Sequence, residues 1–226
     1  MTAPSLKVQH VRRHRLGDSV PAESSCHRVV RIARMVVTCD WSPLVYAMWA
    51  RWHGLEVSYA NYDLPEHGSR PHSSGGPALA KVIRSLRIPE DSIALDIGVG
   101  MGFAALTLSR YFKLVIGIDH SPELITAARL NIRKMRLDNI QLHCVDARLF
   151  RDGLDQVTHV YMFNPFPETV MGVVMQNLRR SLERAPRPLT IIYLLPACHR
   201  TILAAGFVHK RDIQFTHSHP FAIYEA

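Results

Sequence analysis

From Pro77 onward, apolar positions along the chain alternate between two rhythms, one of about 3.6 residues and one of short unbroken runs. Leu79, Val82, Ile83 and Leu86 fall at i, i+3, i+4 and i+7, one face of a helix that Pro77 opens at its first turn. Ile93 to Val99 is a short apolar run ending in glycines, Phe103 to Phe112 has helical composition, and Leu114 to Ile118 is again β-rich. Together these predict a β-α-β unit. Ser121 and Pro122 supply the N-cap and first turn of a helix to about Met135, followed by a strand over Ile140 to Val145. The pattern continues with a strand at Val157 to Phe163 and a helix over Glu168 to Arg184 that stacks Val170, Val174, Leu178 and Leu182. A strand at Leu189 to Leu195, a short helix over 199–205, and two closing strands at Phe207 to Phe215 and Phe221 to Tyr224 complete the series.

Apolar strands separated by amphipathic helices predict an α/β fold: a mostly parallel sheet covered on both faces, with ligands at the C-terminal ends of its strands. The Ser73-Ser74-Gly75-Gly76-Pro77 loop marks the start of this region, so the chain divides into residues 1–72 and a ligand-binding domain over 73–226. Residues 1–72 read as a basic arm and a helical lid. Trp41, Tyr46, Trp49, Trp52, Tyr59 and Tyr62 crowd that lid, where aromatic faces suit a cation or a flat substrate. The i, i+3, i+6 spacing of Tyr46, Trp49 and Trp52 is foremost the spacing of a packed helix face.

Composition narrows the function classes. With 47% hydrophobic and 20% charged residues in 226, the chain can bury one good core. The net charge of +8 is spread along the chain, so nucleic acid is not the favoured partner. Cys26, Cys39, Cys144 and Cys198 form no CxxC pair, which argues for a reducing, cytoplasmic setting and against a zinc knuckle. The 13 histidines are scattered, and His217-Ser218-His219 is too isolated to define a metal site, so no metal is expected. Apolar stretches are far shorter than the roughly 20 residues of a membrane span, and the N-terminus lacks the hydrophobic core of a secretory signal.

The strongest chemical signal is Asp96-Ile97-Gly98-Val99-Gly100-Met101-Gly102, at a strand end and opening a helix. Glycines allow positive φ and close approach of a ligand, and the helix start offers free N–H groups. The third glycine stands one place early for a dinucleotide fingerprint. Asp96 places a carboxylate where a ligand ammonium can be received, which a pyrophosphate would not favour. Asp119 ends the next strand, 23 residues on, and suits the two hydroxyls of a ribose, with His120 beside it as a candidate proton acceptor. Cys144-Val145-Asp146-Ala147 closes the following strand, with Asp146 suited to an adenine amine. Finally, Asn164-Pro165-Phe166-Pro167 follows a strand, where the Asn164 side-chain oxygen and the Pro165 carbonyl suit one NH₂ group and Phe166 a flat substrate.

These loops resemble those of the class I S-adenosylmethionine-dependent methyltransferases over about residues 72–226. Asn164-Pro165-Phe166-Pro167 is similar to the Asn-Pro-Pro-Tyr/Phe motif of nitrogen methyltransferases, with two positions exchanged. The spacing from Ser74 to Asp96 resembles that of the disruptor-of-telomeric-silencing type and its small bacterial relatives, in which a Ser/Thr before the helix contacts the cofactor's methionyl end. The resemblance implies a three-layer sandwich with a seven-stranded, mostly parallel, Rossmann-like sheet. It also implies S-adenosyl-L-methionine as cofactor, held by Ser74, Asp96, Gly98, Gly100, Gly102, Asp119, His120, Asp146 and Ala147, with Asn164 and Phe166 at the acceptor.

The expectation is therefore a methyltransferase acting on a nitrogen of a small molecule or peptide. The competing readings are a nucleic-acid methyltransferase, a nicotinamide-dependent oxidoreductase on the same fold, and a cofactor-binding scaffold without turnover.

Overall fold

A computed structural model describes residues 48, 50–57, 75–215 and 219–226. Its seven strands are β1 (Ile93–Ile97), β2 (Leu114–Asp119), β3 (Ile140–Cys144), β4 (His159–Phe163), β5 (Thr190–Leu194), β6 (Val208–Ile213) and β7 (Phe221–Glu225). Five helices interleave with them: α1 (Pro77–Arg84), α2 (Phe103–Leu108), α3 (Pro122–Lys134), α4 (Glu168–Arg184) and α5 (His199–Ala204).

The strands form one sheet in the order β3-β2-β1-β4-β5-β7-β6. Pairings β1 with β2, β2 with β3, β1 with β4 and β4 with β5 are parallel. β7 runs against both β5 and β6. Its direction follows from the short connection after β6, which makes a hairpin and inserts β7 beside β5, whereas a parallel partner would need a long crossover. The sequence of the two closing strands alone did not fix that orientation.

Side-chain alternation divides the sheet's residues between two cores. Leu95, Ile97, Val160, Met162, Ile191 and Tyr193 pack with Met171, Val174, Met175 and Leu178 of α4 and Ile202 of α5. Ala94, Val115, Tyr161, Ile192 and Leu194 pack with Leu79, Val82 and Ile83 of α1 and with Ala104, Ala105 and Leu108 of α2. The result is the expected three-layer arrangement. A third cluster joins Ala50 and Leu55 to Met101, Phe103, Leu124 and Ala127.

Local chemistry sets the element ends. Ser121 caps α3 by accepting from the Leu124 amide at 3.2 Å and donating to Glu123 at 2.8 Å, and Pro122 supplies the first turn. The helix predicted to reach Phe112 stops at Leu108. The Asn139 amide donates to the Ser109 carbonyl at 2.8 Å and to the Phe112 carbonyl at 3.1 Å, binding the chain as it turns toward β2. The buried stripe of α4 is centred on Met171, Val174, Met175 and Leu178, with the predicted Val170 and Leu182 at its partly buried edges. Trp52 is 87% exposed, so it does not pack as expected for a lid-helix face; Ala50 and Leu55 make the buried contacts instead.

Candidate functional site

Strand order reverses between β1 and β4, because β1 leads to β2 on one side while β4 leads to β5 on the other. In such a sheet the crevice lies outside the strand C-termini at the reversal. There the glycine loop after β1 meets the Asn-Pro loop after β4. A Cβ at Gly98 would lie 2.9 Å from the Pro165 Cβ, so the two loops approach closely only because residue 98 has no side chain. Gly98, Gly100 and Gly102 have φ of 77°, 52° and 88°, which makes the loop a left-handed turn that L side chains resist.

Asp119 organises that loop from the neighbouring strand. Its Oδ2 accepts from the Gly100 amide at 3.0 Å and its Oδ1 from the Ser121 amide at 3.1 Å. Each oxygen keeps a further lone pair for a ligand. His120 stands beside it, half exposed, with Nδ1 3.4 Å from Asp119 Oδ1. The Ile118 carbonyl accepts from both Gly98 and Val99 amides, which pins the start of the turn to β2.

Asp96 sits beneath the loop, 1% exposed, and its Oδ2 has no partner. Burial, reinforced by the nearby Asp119 carboxylate and offset in part by the Ala105 amide, pushes its pKa up to about 8. A buried acid with an unsatisfied oxygen, under a cradle of glycines, is suited to a ligand cation. On that observation the residues fit the positively charged methionyl end of an S-adenosylmethionine molecule.

Asp146 follows β3, at the third strand end. Its carboxylate accepts from the Arg148 backbone at 2.8 Å and from the Arg148 Nη2 at 2.6 Å, and that partner holds its pKa below the usual range. An adenine amine there would share this carboxylate with the guanidinium, a competitor the sequence did not reveal. Ala147 is partly buried against the core at the same turn.

In the Asn-Pro loop, Asn164 adopts a φ of 37° and accepts on Oδ1 from the Tyr193 hydroxyl at 3.3 Å. Phe166 lies partly buried against the α4 core. Tyr193 is buried beneath this loop on β5, and its hydroxyl also accepts from the Cys198 amide at 3.4 Å. Sequence reading missed this role, because a tyrosine inside an apolar run reads as core. Ser74 lies outside the described residues, as do Trp41, Tyr46, Trp49, Tyr59 and Tyr62 of the lid and His217 and Ser218. Near Ser74, the Gly76 amide donates to Thr107 Oγ1 at 2.8 Å, holding the entry to α1 against α2.

Solved methyltransferases have a similar fold. The likeness to a SAM-dependent methyltransferase from Aquifex aeolicus has a TM-score of 0.51 at 18% identity and covers 65% of this chain and 88% of that one. The fold is that of the class I methyltransferases. Its sheet and covering helices bear out the expected architecture. The family model of protein-L-isoaspartate(D-aspartate) O-methyltransferase matches residues 56–156. A protein-L-isoaspartate O-methyltransferase of Helicobacter pylori is 32% identical over 46% of this chain and 46% of its own length. A 23S rRNA (uracil(1939)-C(5))-methyltransferase of Xanthomonas euvesicatoria is 27% identical over 58% of this chain and 29% of its own. The chain thus spans less than half the length of these curated relatives. No described helix is long and apolar enough to cross a membrane.

Proposed function

We propose that the chain is a cytosolic methyltransferase that uses S-adenosyl-L-methionine and acts on a nitrogen of a small molecule or peptide. The observation that carries this reading is the contact of Gly98 with Pro165, which puts the loop suited to the cofactor against the loop suited to the acceptor. The cofactor supplies an electrophilic methyl group on a sulfonium. The protein's part is chiefly alignment, holding a nucleophile about 3 Å from that carbon and excluding water.

In this reading Asp96 receives the methionyl ammonium, Gly98, Gly100 and Gly102 admit the ligand to the backbone, Asp119 accepts from the ribose, and Asp146 with Ala147 borders the adenine. His120, half exposed beside Asp119, borders the ribose. Asn164 and the Pro165 carbonyl orient the acceptor, and Phe166 covers it. Ser74 would close the methionyl end, and residues 1–72 would form the arm and lid over the acceptor. Kinship with the disruptor-of-telomeric-silencing type rests on the Ser74-to-Asp96 spacing.

A second reading concerns the accepting atom. Tyr193 donates to Asn164 Oδ1, and Asn164 Nδ2 meets no protein acceptor among the described residues. An N–H donor facing the acceptor favours an oxygen nucleophile such as a carboxylate. The family match ends at residue 156, before this loop, so it informs the cofactor half and leaves the acceptor to residues 164–166.

Calorimetric titration with S-adenosylhomocysteine tests the cofactor: the wild type should bind saturably, and Asp119→Ala should lose at least about tenfold in affinity through the freed Gly100 amide. Absence of saturable binding by the wild type defeats the proposal. Transfer of labelled methyl to paired peptides offering an amine or an isoaspartyl carboxylate then decides the atom, and base-labile label marks the ester. RNA as an acceptor would show a steep loss of affinity with salt.

A further inference from the structure

Behind the glycine loop, α3 carries one polar residue in an otherwise apolar buried stripe. Leu124, Ala127, Ala128 and Asn131 fall three or four residues apart, and Asn131 is 0% exposed. A buried amide survives in such a place only when its donors and acceptor are met. Asn131 meets them from two separate parts of the chain. Its Nδ2 donates to the Met101 carbonyl, inside the glycine loop, at 3.0 Å and to the Glu56 carbonyl at 3.2 Å. Its Oδ1 accepts from the Glu56 amide at 2.8 Å. Both polar backbone groups of Glu56 are therefore held by a side chain that also holds the loop.

Apolar packing repeats the connection. Met101, at the centre of the loop, is 0% exposed and shares a cluster with Ala50, Leu55 and Phe103. Lys134, one turn along α3, donates to the Gly54 carbonyl. On the other side, a Cβ at Gly102 would lie 3.4 Å from the Ala128 Cβ, so the loop rests directly on the helix that carries Asn131.

Building on the cofactor assignment above, we infer that Asn131 is a positioning residue that couples the cofactor loop to residues 54–57. A ligand that fixes the loop fixes the Met101 carbonyl. The Asn131 amide is then held in the rotamer that serves Glu56, and the segment is tightened. By reciprocity, loosening residues 54–57 weakens cofactor binding by the same factor. Residues 54–57 thereby sense cofactor occupancy.

Hydrogen exchange on the full-length protein, with and without saturating S-adenosylhomocysteine, tests this without altering any residue. The expected result is slower exchange at the Glu56 amide on ligand binding, alongside protection of residues 98–102. Binding that protects the loop while leaving Glu56 unchanged overturns the coupling and leaves the cofactor assignment standing. No binding at all overturns both. Asn131→Asp keeps the acceptor for the Glu56 amide and loses both donations. It should raise the Kd for S-adenosylhomocysteine about tenfold and abolish the ligand-induced protection at Glu56, while unchanged protection in a folded Asn131→Asp protein counts against the proposal.

Discussion

Asp96 holds its proton to higher pH than any ordinary carboxyl because water is excluded and Asp119 lies nearby. Between the unfolded value of 3.8 and the folded value of about 8, the folded protein binds the extra proton, so this residue's contribution to stability falls as pH rises through that window. Asp96→Asn should therefore gain in melting temperature over the wild type as pH moves from 6 to 9, while losing affinity for S-adenosylhomocysteine. An equal offset at both pH values would refute the assignment. The same crevice sets a steric prediction. Gly98→Ala adds a methyl 2.9 Å from Pro165 at a φ of 77°, so the loops must part. Loss of roughly 1–3 kcal/mol of stability and a sharp drop in ligand affinity are expected, read by urea unfolding and calorimetry. The three carboxylates were legible in the sequence because each lies within two residues of a strand end, and the glycines because they cluster in the loop after β1. Asn131 and Tyr193 were not, since their partners are 75 and 29 residues away.

At the scale of elements, caps and staples decide where helices stop. Ser121→Ala removes the acceptor for the Leu124 amide and should cost about 1 kcal/mol, visible as a lower urea midpoint with an unchanged slope. A stronger effect is expected just past the C-terminal end of α4. Arg187 donates to the carbonyls of Val157, Leu154 and Ala185 and to Ser181 Oγ, joining the helix end to the chain that enters β4. Burial lowers its pKa, yet these acceptors, with the Ser181 carbonyl as a fifth, keep the guanidinium in place. Arg187→Met removes the guanidinium donors to those carbonyls and should destabilise by roughly 2–4 kcal/mol in chemical denaturation. The sequence placed α4 correctly from its period, but an arginine between two prolines carries no sign that it is a staple.

For the molecule as a whole, acid sensitivity follows from the base of the sheet. His159 opens β4, is 7% exposed, packs its ring edge-on to Phe112, and shares a 2.9 Å hydrogen bond with Thr158. Burial lowers its pKa to about 4. Between about 6.5 and 4 the unfolded chain takes up a proton that the folded protein refuses, so stability is full above that range and is lost as pH falls through it. Going from pH 7 to 5 should remove about 2 kcal/mol, and His159→Asn should flatten that part of the profile in urea titrations. Charge acts differently at this scale. The half-exposed Arg184–Asp155 and Lys210–Glu225 pairs add no net charge and bear little on the fold.

The sequence by itself determined the order and type of the elements from Pro77 onward, because helical and strand periods are local properties of the chain. It also determined the chemical character of the crevice, because glycines and carboxylates sit where strands end. Only the tertiary structure decided that β7 enters the sheet reversed, that Gly98 meets Pro165, and that Asn131 joins Glu56 to Met101. Each of these depends on atoms far apart in the chain, and no local pattern encodes which distant partner will satisfy a buried polar group.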